Sequence, residues 1–344
     1  MLQWGEMKGG VPVQNFFAQI LCGLENKQNV VLVSVVEASG STPRGAGAML
    51  AVFSDGTSAG SIGGGTVEYE AARMARELLA SGDERQAHFR FVHGDAASLG
   101  MVCGGDVTLQ FQRLTAEDKQ TLAVLQTLAK SVQRNENLWL VRRLEGERVT
   151  AMGLADGQGF RFLDHAPSAE LLQSKAVYRD GWLAIPVARA GRLYIFGGGH
   201  VSQALVRAAS AVGFRSVVFD DRPEFASPAL FPQAEEILCG SFCEVGKYVT
   251  LTADDYVVVM TRGHQADYEV LTQVLRSGAK YIGCIGSKKK LALCRAQLLE
   301  AGFVAEEYET LHAPIGLAIG AETPAEIAVS VTAELIAVRA GVLK

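Results

Sequence analysis

The sequence lacks the features of a membrane protein and of a disulfide-stabilised secreted protein. It contains no uninterrupted apolar run of about 18 residues, the minimum for a membrane-crossing helix. Its opening residues show no basic stretch followed by an apolar run, so we expect no secretory signal, a cytoplasmic location and no membrane contact. Six cysteines occur without any CxxC spacing, which favours free thiols over disulfides or a structural zinc site.

Charge and motif content exclude further functions. The net charge is −5, and the main basic cluster, Lys288–Lys290, is expected on the solvated start of a helix, so no nucleic-acid partner is expected. No GxSxG, HExxH, Walker or Ser-His-Asp pattern occurs, so hydrolysis and phosphoryl transfer lack their usual residues. We therefore assign no catalytic residue and no metal ligand.

The first half of the chain predicts a mixed α/β domain at residues 1–185. Helical and strand-like patterns follow one another in this half. The helical patterns lie at 13–24, 67–79 and 117–132, and the strand-like runs at 30–36, 49–53 and 138–163. The polar stretch 164–181 is expected to be a linker.

The second half predicts a Rossmann-like parallel-sheet domain at residues 190–344. Short apolar runs alternate here with helical patterns, which is typical of a parallel sheet covered by helices. The runs lie at 193–196, 216–219, 235–238, 256–260 and 281–285. A final helix is expected to begin with Thr323 as N-cap and Pro324 in its first turn, with Glu326 completing a capping box.

The glycine loop at Gly197 is the strongest motif of this second domain. Gly197-x-Gly199-x-x-Ser202 follows a predicted strand and precedes a helix, as in nucleotide-binding Rossmann domains. The acid that would hold a ribose hydroxyl is available as Asp220 or Asp221. The alternative is that the glycines serve only a tight turn, because fold does not determine function.

Two other loops follow predicted strands of the same sheet, at the edge where ligands of α/β sheets bind. Arg262 in the first of them can hold a phosphate, and His264 can donate a hydrogen bond, although a lone histidine is often structural. In the second loop, Lys289 and Lys290 are expected to be solvated.

The first domain offers a candidate anion pocket. The glycine run 60–65, with Gly63, Gly64 and Gly65 at its end, opens a helix whose free amides suit a phosphate. In the preceding loop, Arg44 would supply charge, and Ser41 and Thr42 would supply hydroxyl groups. Glu68 could accept hydrogen bonds from a pterin-like or purine-like ring. The alternative is that the glycines form only a strained turn and that Glu68 is a favourable first-turn acid.

Cys103 lies between glycines just before a predicted strand. Free amides around it could stabilise a thiolate, the form that attacks, binds soft metals or carries sulfur. The alternative is a buried, inert thiol.

Taken in order, these motifs resemble the XdhC/CoxI family, the accessory proteins of molybdenum hydroxylases such as xanthine dehydrogenase. The resemblance covers nearly the whole chain. It rests on residues 38–50, 60–68, 100–105, 196–205, 219–225, 261–271, 281–290 and 312–330. Ser202 departs from the glycine expected in the family's loop.

The resemblance implies a chaperone that binds molybdenum cofactor, and we expect it to form a homodimer, either stably or transiently. It implies that the cofactor is guarded while a terminal oxo ligand is exchanged for sulfido, and is then delivered to an apo-hydroxylase. A cysteine desulfurase partner is implied as well. The positions that match the family's marked residues are Arg44, Gly63–Gly65, Glu68, Cys103, Gly197, Gly199, His200, Asp221, Arg222 and His264.

Two other functions remain open from the sequence. An NAD(P)-dependent oxidoreductase could use the same Rossmann loop, although no paired acid and base is evident. A redox-responsive binding protein could act through Cys103.

Overall fold

A computed structural model describes residues 13–40, 42, 44–91, 105–131 and 135–343. The chain divides into two units, Met1–Arg189 and Ala190–Lys344, called unit 1 and unit 2 below. No helix in the described part of the chain is long and apolar enough to cross a membrane.

Unit 1 contains two antiparallel five-stranded sheets. The first consists of β1 (Val30–Gly40), β2 (Met49–Phe53), β3 (Ser58–Ser61), β4 (Arg85–Phe91) and β5 (Gly105–Leu114), in the order β3-β2-β1-β5-β4. The second consists of β6 (Leu138–Glu145), β7 (Arg148–Asp156), β8 (Gly159–Arg161), β9 (Val177–Arg179) and β10 (Trp182–Ala188), in the order β8-β7-β6-β10-β9. Its helices are α1 (Val13–Glu25), α2 (Gly65–Ser81) and α3 (Lys119–Ser131).

The central strand β1 is buried on both faces, as its run of branched residues predicts. Val30 and Leu32 belong to a core shared with α1, α3 and the second sheet, whereas Val31 and Val33 pack with α2. Because successive side chains of a strand point to opposite faces, the first sheet lies between two cores. The strand extends to Gly40, four residues beyond the predicted run 30–36.

The prediction of a linker at residues 164–181 is wrong. β9 lies within this stretch and pairs with β10, so the segment belongs to the second sheet. Leu171 is also buried there, at 3% exposure. The stretch has the composition of a linker because only three of its residues form β9, and most of the others lie in turns and loops.

Unit 2 confirms the predicted α/β class with a parallel sheet. Its strands are β11 (Leu193–Phe196), β12 (Ser216–Asp220), β13 (Glu236–Cys239), β14 (Tyr256–Val259) and β15 (Tyr281–Cys284). Their order is β13-β12-β11-β14-β15, and every pair is parallel. The helices are α4 (His200–Ala211), α5 (His264–Val274), α6 (Lys288–Glu300), α7 (Ala305–Glu309) and α8 (Pro324–Arg339). α4 and α8 cover one face of the sheet, and α5 and α6 cover the other.

The strand order creates a crevice beside β11. This strand has β12 on one side and β14 on the other, so the connections that leave β11 and β14 diverge to opposite faces of the sheet. In open α/β sheets, ligands bind outside the carboxyl ends of the strands at such a switch point. The candidate residues of unit 2 follow β11, β12 and β14, so they meet at this edge.

The buried face of α4 differs from the one that helical spacing predicts. That spacing places Val212 in the core together with Val201, Ala204, Leu205 and Ala208. Val212 is instead 37% exposed, whereas Val206 and Ala209 are fully buried. The reason is that α4 packs against α8 as well as the sheet, within one core. Periodicity alone does not reveal a second packing partner.

The capping box predicted at the start of α8 is confirmed. Thr323 is the N-cap, its hydroxyl accepts from the Glu326 amide, and the Glu326 side chain accepts from the Thr323 amide. Pro324 occupies the first turn, where its missing N–H costs nothing.

A buried carboxylate ties α8 to the edge of the sheet. Glu334 accepts hydrogen bonds from the Tyr281 hydroxyl (2.7 Å) and the Gly316 amide (2.6 Å), and its other oxygen lies 3.0 Å from His312 Nδ1. Burial tends to raise the pKa of Glu334, but the hydrogen bonds from His312, Tyr281 and Gly316 bring that pKa below its ordinary value. This network fixes the segment 312–316 against the helix.

Candidate functional site

The glycine turn of unit 1 opens α2. Gly63, Gly64 and Gly65 have φ values of 130°, 75° and 65°, a left-handed run that favours glycine. A Cβ on Gly64 would meet no atom of the described residues within 4 Å, so the outer side of the turn is open with respect to them. Gly64 is the N-cap, and no described side chain caps the helix there. A helix start with an open side is suited to a phosphate.

Glu68 folds back onto this turn. Its Oε2 accepts hydrogen bonds from Ser61 Oγ (2.6 Å), the Ile62 amide (2.9 Å) and the Gly64 amide (3.0 Å). Burial tends to raise the pKa of Glu68, but these hydrogen bonds lower that pKa below its ordinary value, so the side chain is ionised at neutral pH. Glu68 therefore holds the turn in shape. It binds the backbone amides of Ile62 and Gly64, which the sequence analysis considered as donors to a ligand.

Other candidates of unit 1 gather at the same edge of its first sheet. Ser61 at the end of β3 pairs with Met49 at the start of β2, so the glycine turn lies beside the residues that directly precede β2. Arg44, five residues before β2, is exposed, and Thr42 is half-buried. Arg44 forms no ion pair with any residue that the structure describes. Two further candidates lie outside the described residues: Ser41 and Cys103.

The glycine loop of unit 2 has the geometry that its motif predicts. Gly197 has a φ of 109°, and a Cβ there would lie 2.4 Å from the Met260 carbonyl oxygen. Gly199 is the N-cap of α4, and a Cβ there would meet no described atom within 4 Å. Ser202 is buried and donates its hydroxyl hydrogen bond to the Gly197 carbonyl. Gly197 thus permits the glycine loop to approach the backbone at Met260 closely. Beside Gly199 there is space that no described atom fills.

Asp220, at the end of β12, faces this loop and is fully buried. Its Oδ2 accepts from the Gly198 amide (2.7 Å) and Arg222 Nη2 (3.1 Å). Its Oδ1 accepts from the Arg222 amide (3.0 Å) and Arg222 Nε (2.9 Å). Burial tends to raise the pKa of Asp220, but the bonds from Arg222 and Gly198 lower that pKa overall. Of the two acids considered from the sequence, Asp220 is the one bonded to the glycine loop.

Asp221 pairs with the loop after β14, and its Oδ1 also lies 3.6 Å from Arg222 Nε. Its Oδ2 accepts from Arg262 Nη2 at 3.0 Å. Because β12 and β14 flank β11, this ion pair spans the carboxyl end of β11. The Arg262 side chain is 56% exposed, and an exposed pair contributes only about 0–1 kcal/mol. Breaking this ion pair so that Arg262 can contact a bound anion therefore costs little free energy.

Two exposed histidines begin helices at the same edge of unit 2. His200 is the first residue of α4 and His264 the first of α5, and each follows a glycine N-cap without a capping side chain among the described residues. Since β11 and β14 are neighbours, both helix starts face the crevice edge. The structure thus brings all eight candidates of unit 2 to one edge: Gly197, Gly199, His200, Asp220, Asp221, Arg222, Arg262 and His264.

Sequence reasoning missed a buried ion pair beneath these loops. Lys290, expected to be solvated, places Nζ 2.5 Å from Oδ2 of Asp267, whose side chain is only 1% exposed. Asp267 also accepts from the amide (3.0 Å) and hydroxyl (2.5 Å) of Thr261. The prediction for Lys290 is wrong because an acid on a neighbouring helix is invisible in local sequence. The available signal was an acid in the first turn of α5.

Comparison with known families shows which family the chain belongs to. The family model described as the XdhC Rossmann domain matches residues 193–335, which include all five strands of unit 2. The model described as the XdhC and CoxI family matches residues 24–92. Together the two models cover more than half of the chain. The chain belongs to the XdhC and CoxI family.

Individual relatives of this XdhC/CoxI chain match both units. A Bacillus subtilis protein named as a probable xanthine dehydrogenase subunit is 25% identical over 94% of the chain and 98% of its own length. The molybdenum cofactor insertion chaperone PaoD of Escherichia coli is 27% identical over 92% of the chain and 85% of its own length. The uncharacterized Escherichia coli protein YqeB is 26% identical over 94% of the chain, but the chain spans only 46% of that protein.

A solved structure shares the fold of the whole XdhC/CoxI chain. A xanthine dehydrogenase from Bacillus halodurans matches with a TM-score of 0.81 at 25% identity, over 97% of both chains. The candidates of unit 1 other than Cys103 fall within the residues matched by the XdhC and CoxI model, and those of unit 2 within the residues matched by the Rossmann model.

Proposed function

We propose that this XdhC/CoxI chain is a molybdenum cofactor chaperone without turnover of its own. It binds the cofactor, protects it while a terminal oxo ligand is exchanged for sulfido, and inserts it into an apo xanthine dehydrogenase-type hydroxylase. The observation that carries the proposal is the similarity, over 92% of the chain, to a relative named a molybdenum cofactor insertion chaperone. The relative named a probable xanthine dehydrogenase subunit supports the choice of client.

The geometry of unit 1 supports this cargo. The pterin of molybdenum cofactor bears a phosphate, and a helix start without a capping side chain is suited to a phosphate. The open side of Gly64 and the exposed Arg44 offer such a cradle at one edge of the first sheet. Glu68 acts on this cradle through its hydrogen bonds to the turn, which makes it a positioning residue.

Unit 2 offers a second set of groups for an anion. Gly199 leaves the start of α4 open, and Arg262 is held by an exposed ion pair. We propose that His200 and His264 contact the cargo from the same edge. Each unit therefore supplies a candidate phosphate contact, and variants in each can be compared directly.

The proposal includes partners and location. The client is an apo molybdenum hydroxylase, and the sulfur comes from a cysteine desulfurase. We propose that the chain acts in the cytoplasm and self-associates as a homodimer. Cys103, two residues before β5 in the sequence, is proposed as a cofactor contact.

The test loads the purified chain with molybdenum cofactor and follows retention by the fluorescence of its oxidised pterin. Arg44→Ala should lower retention about tenfold or more, the effect of one lost hydrogen bond between charged groups. Arg76→Ala, an exposed arginine on α2, is the matched control and should retain the cofactor. Cys103→Ala is compared in the same way with Cys239→Ala, an exposed cysteine of unit 2.

Activation of an apo xanthine dehydrogenase is the second readout. The loaded chain should activate the apoenzyme, and Arg262→Ala should reduce activation if unit 2 shares the cargo. A chain that neither retains the cofactor nor activates a competent apoenzyme contradicts the proposal. Normal retention in both Arg44→Ala and Cys103→Ala, with loss in Arg262→Ala, would move the site to unit 2.

A further inference from the structure

The Rossmann-like fold of unit 2 is typical of dinucleotide-binding domains, so its residues can be compared with those that bind NAD(P). In NAD-binding Rossmann domains, an acid at the end of the second strand accepts hydrogen bonds from the ribose. In NADP-binding ones, a nearby arginine takes the 2′-phosphate. Asp220 and Arg222 occupy these two positions, at and just beyond the end of β12.

The carboxylate of Asp220 has no acceptor capacity left for a ribose. An ionised carboxylate offers about four lone-pair sites on its two oxygens. Asp220 accepts four hydrogen bonds, two on each oxygen, one from the Gly198 amide and three from Arg222. The residue is 0% exposed, so a ribose would have to displace protein donors to reach it.

Arg222 is likewise committed within the protein. Its Nε and Nη2 bind Asp220, and its guanidinium carbon lies 3.7 Å from the centre of the Phe225 ring. The segment then turns back, because the amides of Phe225 and Ala226 both donate to the Arg222 carbonyl.

The same segment covers one side of the glycine loop. A Cβ on Gly198 would lie 2.4 Å from the Phe225 carbonyl oxygen, so the two backbones are in close contact. Asp220, which binds both Gly198 and Arg222, joins the loop to the segment 222–226. Asp220 and Arg222 therefore bind each other and the glycine loop, and we call this pair the Asp220–Arg222 lock.

We infer that the Asp220–Arg222 lock excludes NAD(P) from the Rossmann domain of this chain. The carboxylate at the end of β12 is saturated. The adjacent Asp221 is paired with Arg262, and its Oδ1 lies 3.6 Å from Arg222 Nε. The arginine that would take a 2′-phosphate is thus neutralised by the acids beside it. The side of Gly199 remains open, so a phosphate that needs no ribose contact is unaffected. The inference is therefore independent of the proposed cargo, whose binding is measured separately.

The test titrates the full chain with NADH and with NADPH and follows nicotinamide fluorescence and heat. We expect no saturation up to about 1 mM, the upper end of ordinary enzyme affinities. Arg222→Ala removes one side-chain donor from each Asp220 oxygen. It should therefore bind NADH at least about tenfold more tightly, the effect of one hydrogen bond to a charged group. Arg207→Ala, an exposed arginine on α4, is the matched control.

Two results overturn the inference. Saturable NADH binding by the unmodified chain in the micromolar range, weakened in Asp220→Asn, would show that Asp220 holds a ribose. An Arg222→Ala chain that folds but gains no NADH affinity would show that the lock is not what excludes NADH.

If Arg222→Ala does not fold, Arg222→Lys replaces it, since lysine keeps the charge but loses the two-pronged contact. That variant should still gain NADH affinity, and no gain would likewise overturn the inference.

Discussion

Replacing Glu68 with glutamine tests whether one carboxylate holds the glycine turn of unit 1. Oε2 of Glu68 accepts three hydrogen bonds, and an amide oxygen has two lone pairs and no charge. A hydrogen bond to a charged group contributes about 1.5–3 kcal/mol, against about 0.5–1.5 kcal/mol for a neutral pair. The three bonds would each weaken by about 1 kcal/mol, and because the site is only partly buried we expect Glu68→Gln to lower the free energy of unfolding by about 2 kcal/mol.

The effect of Glu68→Gln should depend on pH in a defined direction. The folded pKa of Glu68 lies below its ordinary value of 4.5, so its contribution is fully present above that pH. The contribution is lost as the pH falls from 4.5 through the folded pKa, because protonation then favours the unfolded chain. The stability difference between the unmodified chain and Glu68→Gln should therefore shrink below about pH 4.5.

Tryptophan fluorescence can follow this unfolding in unit 1 alone. All three tryptophans of the chain, Trp4, Trp139 and Trp182, lie within residues 1–189. For a unit of this size, about 2 kcal/mol corresponds to a fall in Tm of about 4–8 °C. Glu77→Gln is the control, because Glu77 on the same helix forms an exposed ion pair with Arg73, which contributes little to stability. Equal shifts in the two variants, or a difference that does not change with pH, would refute the reasoning.

Three further substitutions test the framework of unit 2. Asp267→Asn breaks a mostly buried ion pair with Lys290 and should cost about 2–3 kcal/mol in urea unfolding followed by circular dichroism. Tyr281→Phe removes a buried hydrogen bond to Glu334 and should cost about 1–2 kcal/mol in the same assay. Thr323→Ala removes the N-cap of α8 and should lower stability by about 1 kcal/mol, measured as a fall in Tm.

These three variants share one control, Lys289→Ala. Lys289 is exposed beside Lys290, and its replacement should leave unfolding unchanged. Asp267→Asn with the stability of this control would mean that the ion pair with Lys290 is dispensable. If Tyr281→Phe is as stable as the control, the hydrogen bond from Tyr281 to Glu334 does not stabilise unit 2. If Thr323→Ala is as stable as the control, the N-cap of α8 does not stabilise it either.

Local sequence patterns determined most of the secondary structure of unit 2. All five apolar runs predicted there are strands, because short branched runs bounded by turn residues have few other ways to bury themselves. The start of α8 was also predictable, since Thr323, Pro324 and Glu326 interact with the backbone of their own turn. The glycine loop was predictable for the same reason, because its constraints are local.

Where a partner comes from a distant part of the chain, local pattern was insufficient. The polar stretch 164–181 resembles a linker, yet β9 is an edge strand held by β10. Lys290 resembles a solvated lysine, yet a neighbouring helix presents Asp267 to it.

The candidate sites show the same division. From sequence alone, Glu68 and Asp220 were candidate ligand contacts, because an acid near a glycine loop suits a ring or a ribose. Only the tertiary structure shows that both carboxylates turn inward, Glu68 onto the turn before α2 and Asp220 onto Gly198 and Arg222. The sequence by itself determined where acids and glycine loops occur along the chain. The packing of strands and loops decided which acceptors are already filled, because hydrogen-bond capacity is finite and is used by the nearest donors in space.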